Sequence, residues 1–193
     1  KQLERLTCFI VNTLPDICLC AKRVAERRGI KTAILTSSLS GSSKDAGIFF
    51  AAIAREIHGT GNPVNAPCMF IASGEVSTII DDPQSVRGLG GPGQEMAVSF
   101  AIAARNIPGA CLLSIDSEGT DGPTDAAGGL TDASTLQEAQ QLGVDLYKAL
   151  RNHSAYQALG RLNCLVVTGN TGTTLCDLHI LYVPKTREGP GRV

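Results

Sequence analysis

The chain has no tryptophan and only three tyrosines and five phenylalanines among 193 residues. Stacking platforms for nucleic-acid bases are therefore scarce. A charge surplus is missing too: 17 Lys and Arg stand against 18 Asp and Glu, a formal net charge of −1. That balance offers no electrostatic footprint for nucleic acid or an acidic membrane surface. No apolar run reaches the ~20 residues of a membrane span, and no signal peptide is legible. Metal-ligand spacing is absent as well. The seven cysteines (Cys8, Cys18, Cys20, Cys68, Cys111, Cys164, Cys176) contain no CxxC, and His58, His153 and His179 lie far apart. Scattered cysteines in or beside apolar runs read as small buried hydrophobes in a reducing cytoplasm.

The remaining composition is that of a globular domain, with 43% hydrophobic residues. The length suits one domain. The 21 glycines cluster in a few loops, which points to backbone built for close approach to a ligand. Residue 1 is Lys rather than Met, so the chain is expected to be a piece of a longer protein.

Periodicity alternates between strand and helix. Strands are expected at 8–11, 32–36, 67–73 (with 76–80 extended), 110–116, 163–168 and 176–183. Helices are expected at 15–28, 42–58, 94–106, 133–142, 145–151 and 154–160, with Pro15 and Gly29 marking the start and stop of the first. This predicts an α/β fold of three layers, with a mostly parallel or mixed sheet and helices on both faces. The last two strands, joined by TGNTGTT, suggest an antiparallel pair. Residues 1–185 are expected to form one domain and 186–193 a flexible tail.

Four stretches can carry chemistry. In SIDSEGTDGPTDAAGG, residues 114–129, the acids Asp116, Glu118, Asp121 and Asp125 follow a strand. Ligands of open α/β sheets bind at strand carboxyl ends. Clustered carboxylates repel one another unless a hard cation such as Mg²⁺ or ligand hydroxyls intervene, and one of them can take a hydroxyl proton. A solvated, turn-rich loop is the plain alternative. In Ser73-Gly74-Glu75 a carboxylate sits beside bare backbone N–H groups, which also describes a bulge with a solvated Glu. In GLGGPGQE, Gly88-x-Gly90-x-x-Gly93 meets the dinucleotide fingerprint and opens a helix, a place for an anion. The long polar insert before it and the stiff Pro92 weigh against NAD, and a structural glycine loop remains open. Gln94 and Glu95, in the first helical turn, are expected to face the ligand. TGNTGTT, residues 168–174, offers hydroxyls and backbone N–H groups to an anion, or is a hairpin connection.

In this order, with Asn152 and Tyr156 between them, these motifs resemble the MOFRL family, the carboxyl-terminal domain of class II glycerate 2-kinases, also called hydroxypyruvate reductases. The likeness runs from about Asn12 to Val183, and TDGPTDAAG (residues 120–128) is its most specific part. It implies ATP-dependent phosphorylation of D-glycerate to 2-phosphoglycerate with Mg²⁺, in a cleft against an amino-terminal Rossmann-like domain that this chain lacks. The chain alone is then expected to be inactive. The resemblance makes Glu75, Asp116, Asp121 and Asp125 catalytic, with Asp121 and Asp125 on Mg²⁺. It makes Gln94, Glu95, Thr171 and Thr173 substrate or phosphate contacts, beside Gly90, Gly91 and Gly93 of the expected anion loop, while Asn152, also a candidate contact, and Asp177 match more loosely. The partners implied are a hydroxy acid and a nucleotide, with room for a homo-oligomer. Three departures stand out. Pro92-Gly93 replaces the family's Arg-Asn, Thr174 replaces an Asn, and His153-Ser154-Ala155-Tyr156 spreads N-D-S-Y by one. The alternatives are a non-catalytic small-molecule-binding or regulatory domain and an NAD-dependent hydroxypyruvate reductase.

Overall fold

A computed structural model describes residue 7 and residues 9–185. Local chemistry starts each long helix. In α1 (Leu14–Arg27) the Asp16 carboxylate accepts the Thr13 backbone N–H at 2.8 Å, and a proline occupies the first turn. Strand β1 (Lys31–Ser42) leads directly into α2 (Ser43–Thr60). There Ser42 Oγ accepts the Asp45 N–H at 3.3 Å, and Gly61, at φ 77°, ends the helix in a left-handed cap. Next come β2 (Cys68–Ser77), a polar loop, α3 (Pro92–Ala103), β3 (Cys111–Asp116) and β4 (Gly128–Asp132). Three short helices follow: α4 (Thr135–Gln141), α5 (Leu146–Arg151) and α6 (Ala155–Arg161). The two-residue β5 (Leu165–Val166) and then β6 (Asp177–Val183) complete the sheet.

The six strands lie in the order β1-β2-β6-β3-β4-β5. Only β1 and β2 are parallel; every other pair is antiparallel. The α/β fold with a mixed sheet is as expected, but three strand expectations are not met. The last two strands do not pair: β6 inserts between β2 and β3, while β5 joins β4 at the edge. The 163–168 strand shrinks to two residues, and β4 appears where none was expected, because its two leading glycines hid it from a β-branched pattern. Residues 9–11 form no strand, and Phe9, Ile10 and Val11 are exposed; Cys8 and the 186–193 tail lie outside the described residues.

Helices cover both faces. Phe50 and Ile57 of α2 and Met96 and Phe100 of α3 pack on Phe70 of β2, Leu112 of β3 and Leu181 of β6. On the opposite face α1 lays Ile17, Ala21 and Val24 over Met69, Leu178 and Ile180 around a 370 Å³ cavity. Helix α3 is buried on every side from Gly93 to Ala101, because α4, α5 and α6 form a second core against its outer surface through Ala97, Val98, Leu146 and Leu159. A helix enclosed all round shows no polar face, which is why its apolar residues carry little helical periodicity. Among the described residues no helix is long and apolar enough to cross a membrane.

Helices α2 and α3 touch backbone to backbone at Gly47, where a Cβ would come 2.5 Å from the Met96 carbonyl oxygen and 2.9 Å from the Phe100 nitrogen. Neither neighbour is a flexible side chain. Gly47→Val is therefore expected to cost about 2 kcal/mol or more and to lower Tm by roughly 5 °C in a thermal melt followed by circular dichroism. An unchanged Tm would contradict this packing.

Candidate active site

The sheet brings three strand termini to one edge: the carboxyl ends of β2 and β3 and the amino end of β6. In the register, Asp177 lies opposite Gly74 of β2 on one side and Asp116 of β3 on the other. Like charges directly opposite in an antiparallel ladder are destabilising, so Asp116 facing Asp177 is not explained by packing. Burial pushes the Asp177 carboxyl up to about 7. The Val76 N–H, 3.2 Å from Oδ2, pulls it back, and the charges of Asp121, Asp116 and Glu75 push it further. Asp116, half-buried, is raised as well, by burial first and then by Glu118 and Glu75 against the Glu118 N–H at 2.7 Å. Glu75 is exposed at the end of β2.

The threonine loop closes over the acidic loop. The Thr171 N–H donates to the Glu118 carbonyl at 3.1 Å, Thr171 Oγ1 donates to the Ser117 carbonyl, and the Leu175 N–H donates to Ser117 Oγ at 2.7 Å. Thr171 and Thr173 stay exposed beside the acids.

The glycine loop is different. Asp121, 2% exposed, accepts the N–H of Gly93 at 3.1 Å and of Gln94 at 2.7 Å. These are the free N–H groups at the start of α3, so the anion seated on that helix is a side chain of the protein itself. Gln94 is fully buried and donates to the Asp121 carbonyl and to Thr124 Oγ1 at 2.8 Å. Gly91 is bare because a Cβ would run into the Asp121 carboxylate, and Gly122 backs onto Gly90 and Gly91 in turn. Of the glycine-loop residues expected to face a ligand, four are taken up by the protein itself: Gly91 and Gly93 give room for Asp121, and Gln94 and Glu95 are buried. Burial raises the Asp121 carboxyl to about 6 against the pull of the two N–H groups. Its oxygens are engaged, as is Asp125 Oδ1, which accepts the Tyr156 hydroxyl at 2.7 Å.

Glu95 gathers residues that the sequence reading missed. Its Oε2 accepts the Ser43 hydroxyl, while Oε1 stands 3.4 Å from Lys44 Nζ and 3.2 Å from His153 Nδ1. This buried carboxylate ties the starts of α2 and α3 to the α5–α6 turn, where His153 takes the left-handed φ of 52°. No local signal marks Lys44 or His153, since their partner is more than 50 residues away. Asn152 caps α5, and its carbonyl accepts the Arg87 N–H at 2.9 Å, which fastens the glycine loop. Among the described residues no three His, Cys, Asp or Glu side chains are grouped to hold a metal ion by themselves.

The MOFRL family matches residues 68–177. A D-glycerate 2-kinase of Thermotoga maritima is 37% identical over 93% of this chain and 42% of its own length. A glycerate 2-kinase of Pyrococcus horikoshii is 38% identical over 97% and 42%, and a protein of Agrobacterium vitis named putative hydroxypyruvate reductase is 34% identical over 88% and 44%. The crystal structure of the Thermotoga maritima glycerate kinase matches with a TM-score of 0.89 at 37% identity, over 95% of this chain and 43% of that one. The chain spans about two fifths of the length of these relatives.

The raised Asp177 carboxyl gives a signed pH effect. An unfolded Asp ionises near 3.9, so between about pH 4 and 7 the folded chain keeps a proton that the unfolded chain has lost. Stability falls as pH rises through that window, and the full penalty is present above pH 7. Asp177→Asn removes the penalty and keeps an acceptor for Val76. Its Tm relative to the parent is expected to rise from pH 4 to pH 8 by on the order of a few degrees. A difference that stays constant with pH would contradict the assignment.

Proposed function

The chain belongs to the MOFRL family, and on that footing we propose that it forms one wall of a glycerate 2-kinase cleft, where the 2-hydroxyl of D-glycerate attacks the γ-phosphorus of ATP. The observation that carries this reading is the facing pair Asp116 and Asp177, with Glu75 close enough to raise both. Such a group of oxygens suits substrate hydroxyls and a hard dication.

The donor set fits Mg²⁺ shared with phosphate oxygens. Glu75 and Asp116 would hold it, whereas Asp121 and Asp125 already spend carboxylate oxygens on Gly93, Gln94 and Tyr156. When bound, the ion neutralises charge on the transferring phosphoryl group. The chain's own residues do the rest. The acidic edge orients the hydroxy acid by its hydroxyls, and a carboxylate takes the proton released as the new O–P bond forms and ADP departs. The exposed hydroxyls of Thr171 and Thr173 border the same edge and offer donors to the phosphate. The opposite wall is assigned to the amino-terminal Rossmann-like domain, in line with the length that the relatives have beyond this match. A dinucleotide is disfavoured, because the N–H groups of α3 that would seat a pyrophosphate already bind Asp121.

A chimera tests the proposal. The segment of the Thermotoga maritima enzyme that matches this chain is replaced by it, and phosphorylation of D-glycerate is followed by ADP release. Activity is expected, with Asp116→Asn lowering kcat by about a hundredfold or more. A folded chimera that binds D-glycerate but transfers no phosphate would support the regulatory-domain alternative instead.

A further inference from the structure

Behind the acidic edge lies a buried polar pair that the reaction above leaves unused. Ser114 of β3 and His179 of β6 are direct register partners, and both have no exposed surface. Ser114 Oγ stands 2.9 Å from His179 Nδ1. Asp177 is two residues before His179 on the same strand, so both side chains leave the same face of the sheet. His179 Nε2 has no hydrogen-bond partner among the described residues, and it lies 3.9 Å from Asp177 Oδ2. Met96 and Phe50 close the remaining sides: Met96 Sδ is 3.5 Å from Ser114 Oγ, and the Phe50 ring is 6.3 Å from the imidazole.

Full burial keeps the imidazole neutral by pushing its pKa down to about 4, so the ring carries one N–H. Two tautomers are available. Once Asp177 is ionised, a proton on Nδ1 has that nitrogen donate to Ser114 and leaves the Nε2 lone pair facing a carboxylate oxygen inside the core. That arrangement is repulsive and leaves an acceptor unsatisfied. With the proton on Nε2, the Ser114 hydroxyl donates to Nδ1 and the Nε2–H faces Asp177. The second arrangement satisfies Nδ1 and turns a repulsion into an attraction, which is stronger in a low-dielectric interior.

We propose that His179, oriented by Ser114, is the positioning residue of Asp177, its Nε2–H directed at Oδ2 so that Oδ1 is presented to the cleft as a contact for a ligand hydroxyl. Oδ2 also accepts the Val76 N–H at 3.2 Å. Among the described residues Oδ1 has no hydrogen-bond partner, and it is not among the sealed, unpartnered atoms, so it is open to solvent. The identity of the ligand as a hydroxy acid rests on the kinase reading; the Ser114–His179–Asp177 arrangement does not.

The test uses this chain, labelled with ¹⁵N. Long-range proton–nitrogen spectra at about pH 9, where Asp177 is ionised, report the tautomer of each of the three histidines, and His179→Gln assigns the resonance. The Nε2–H tautomer is expected for His179; the Nδ1–H tautomer would overturn the proposal. Asp177→Asn is expected to move the Nε2–H resonance and speed its exchange with solvent, and an unmoved resonance would overturn the pairing. Function is read by titrating D-glycerate into the chimera with the remainder of the Thermotoga maritima enzyme, because this chain supplies one wall of the cleft. His179→Leu is expected to weaken its affinity about tenfold and to lower Tm by a few degrees, because the buried Ser114 hydroxyl loses its imidazole partner; the variant is read below its own melt. His179→Gln, which keeps a donor near the Nε2 position, is expected to restore most of that affinity. Equal affinity for the Leu variant and the parent would overturn the positioning role. If the parent chimera binds no D-glycerate, the kinase reading is the one that fails, and the tautomer and the Asp177→Asn response in this chain still decide the geometry.

Discussion

The carboxylate of Asp121 on the first N–H groups of α3 is the contact around which this domain is organised. A helix start buried without partners would leave several N–H groups unpaired, at a cost comparable to lost hydrogen bonds. Helix α3 is enclosed from Gly93 to Ala101, so water cannot supply those partners. The acidic loop supplies one of them instead. Reaching it requires bare backbone at Gly91 and Gly93, a turn through Gly122 and an internal tie from the Asp121 N–H to the Ala126 carbonyl at 2.8 Å. The dense glycine and aspartate content of both loops is in large part the structural requirement of one buried charge.

With that loop pinned, the other acids are displayed. Strand β6 runs antiparallel between β2 and β3, so its amino end meets their carboxyl ends, and Asp177 falls opposite Asp116. An edge made only of parallel strands would set carboxyl ends beside one another and leave the amino end of a strand on the far side. The mixed sheet instead gathers acids from both kinds of terminus. The resulting repulsion between Asp116, Asp177 and Glu75 raises the carboxyls of Asp116 and Asp177. Glu95 shows the opposite arrangement, a buried carboxylate with Ser43, Lys44 and His153 gathered round it.

How far the sequence was legible varies with the range of the interaction concerned. Helices α1 and α2 were legible through Pro15, Gly29 and Ser42, because capping and turn signals act over three or four residues. Helix α3 was recognisable by its flanking loop although its amphipathic signal is weak. Strand β4 was invisible because Gly128 and Gly129 lack the side chains that mark strands, and Gly129 is small because Leu159 and Ala97 press against it. Asp116, Asp121 and Asp125 were named from their spacing, whereas Asp177 was reached only loosely, through the family resemblance. Their division of labour was not, since Asp116 and Asp121 look alike in a linear motif.

By itself the sequence determined the alternation of strand and helix, the order of the four polar loops and the family resemblance they carry. These are properties of neighbouring residues, set by periodicity, caps and turn chemistry. The tertiary structure alone decided which carboxylate is spent on the fold and which remain for a ligand. Asp121 meets Gly93 and Gln94 across 28 and 27 positions, and Asp177 meets Val76 across 101. Burial and hydrogen-bond satisfaction are relations between distant parts of the chain. They exist only once β6 has taken its place between β2 and β3 and α3 has been enclosed.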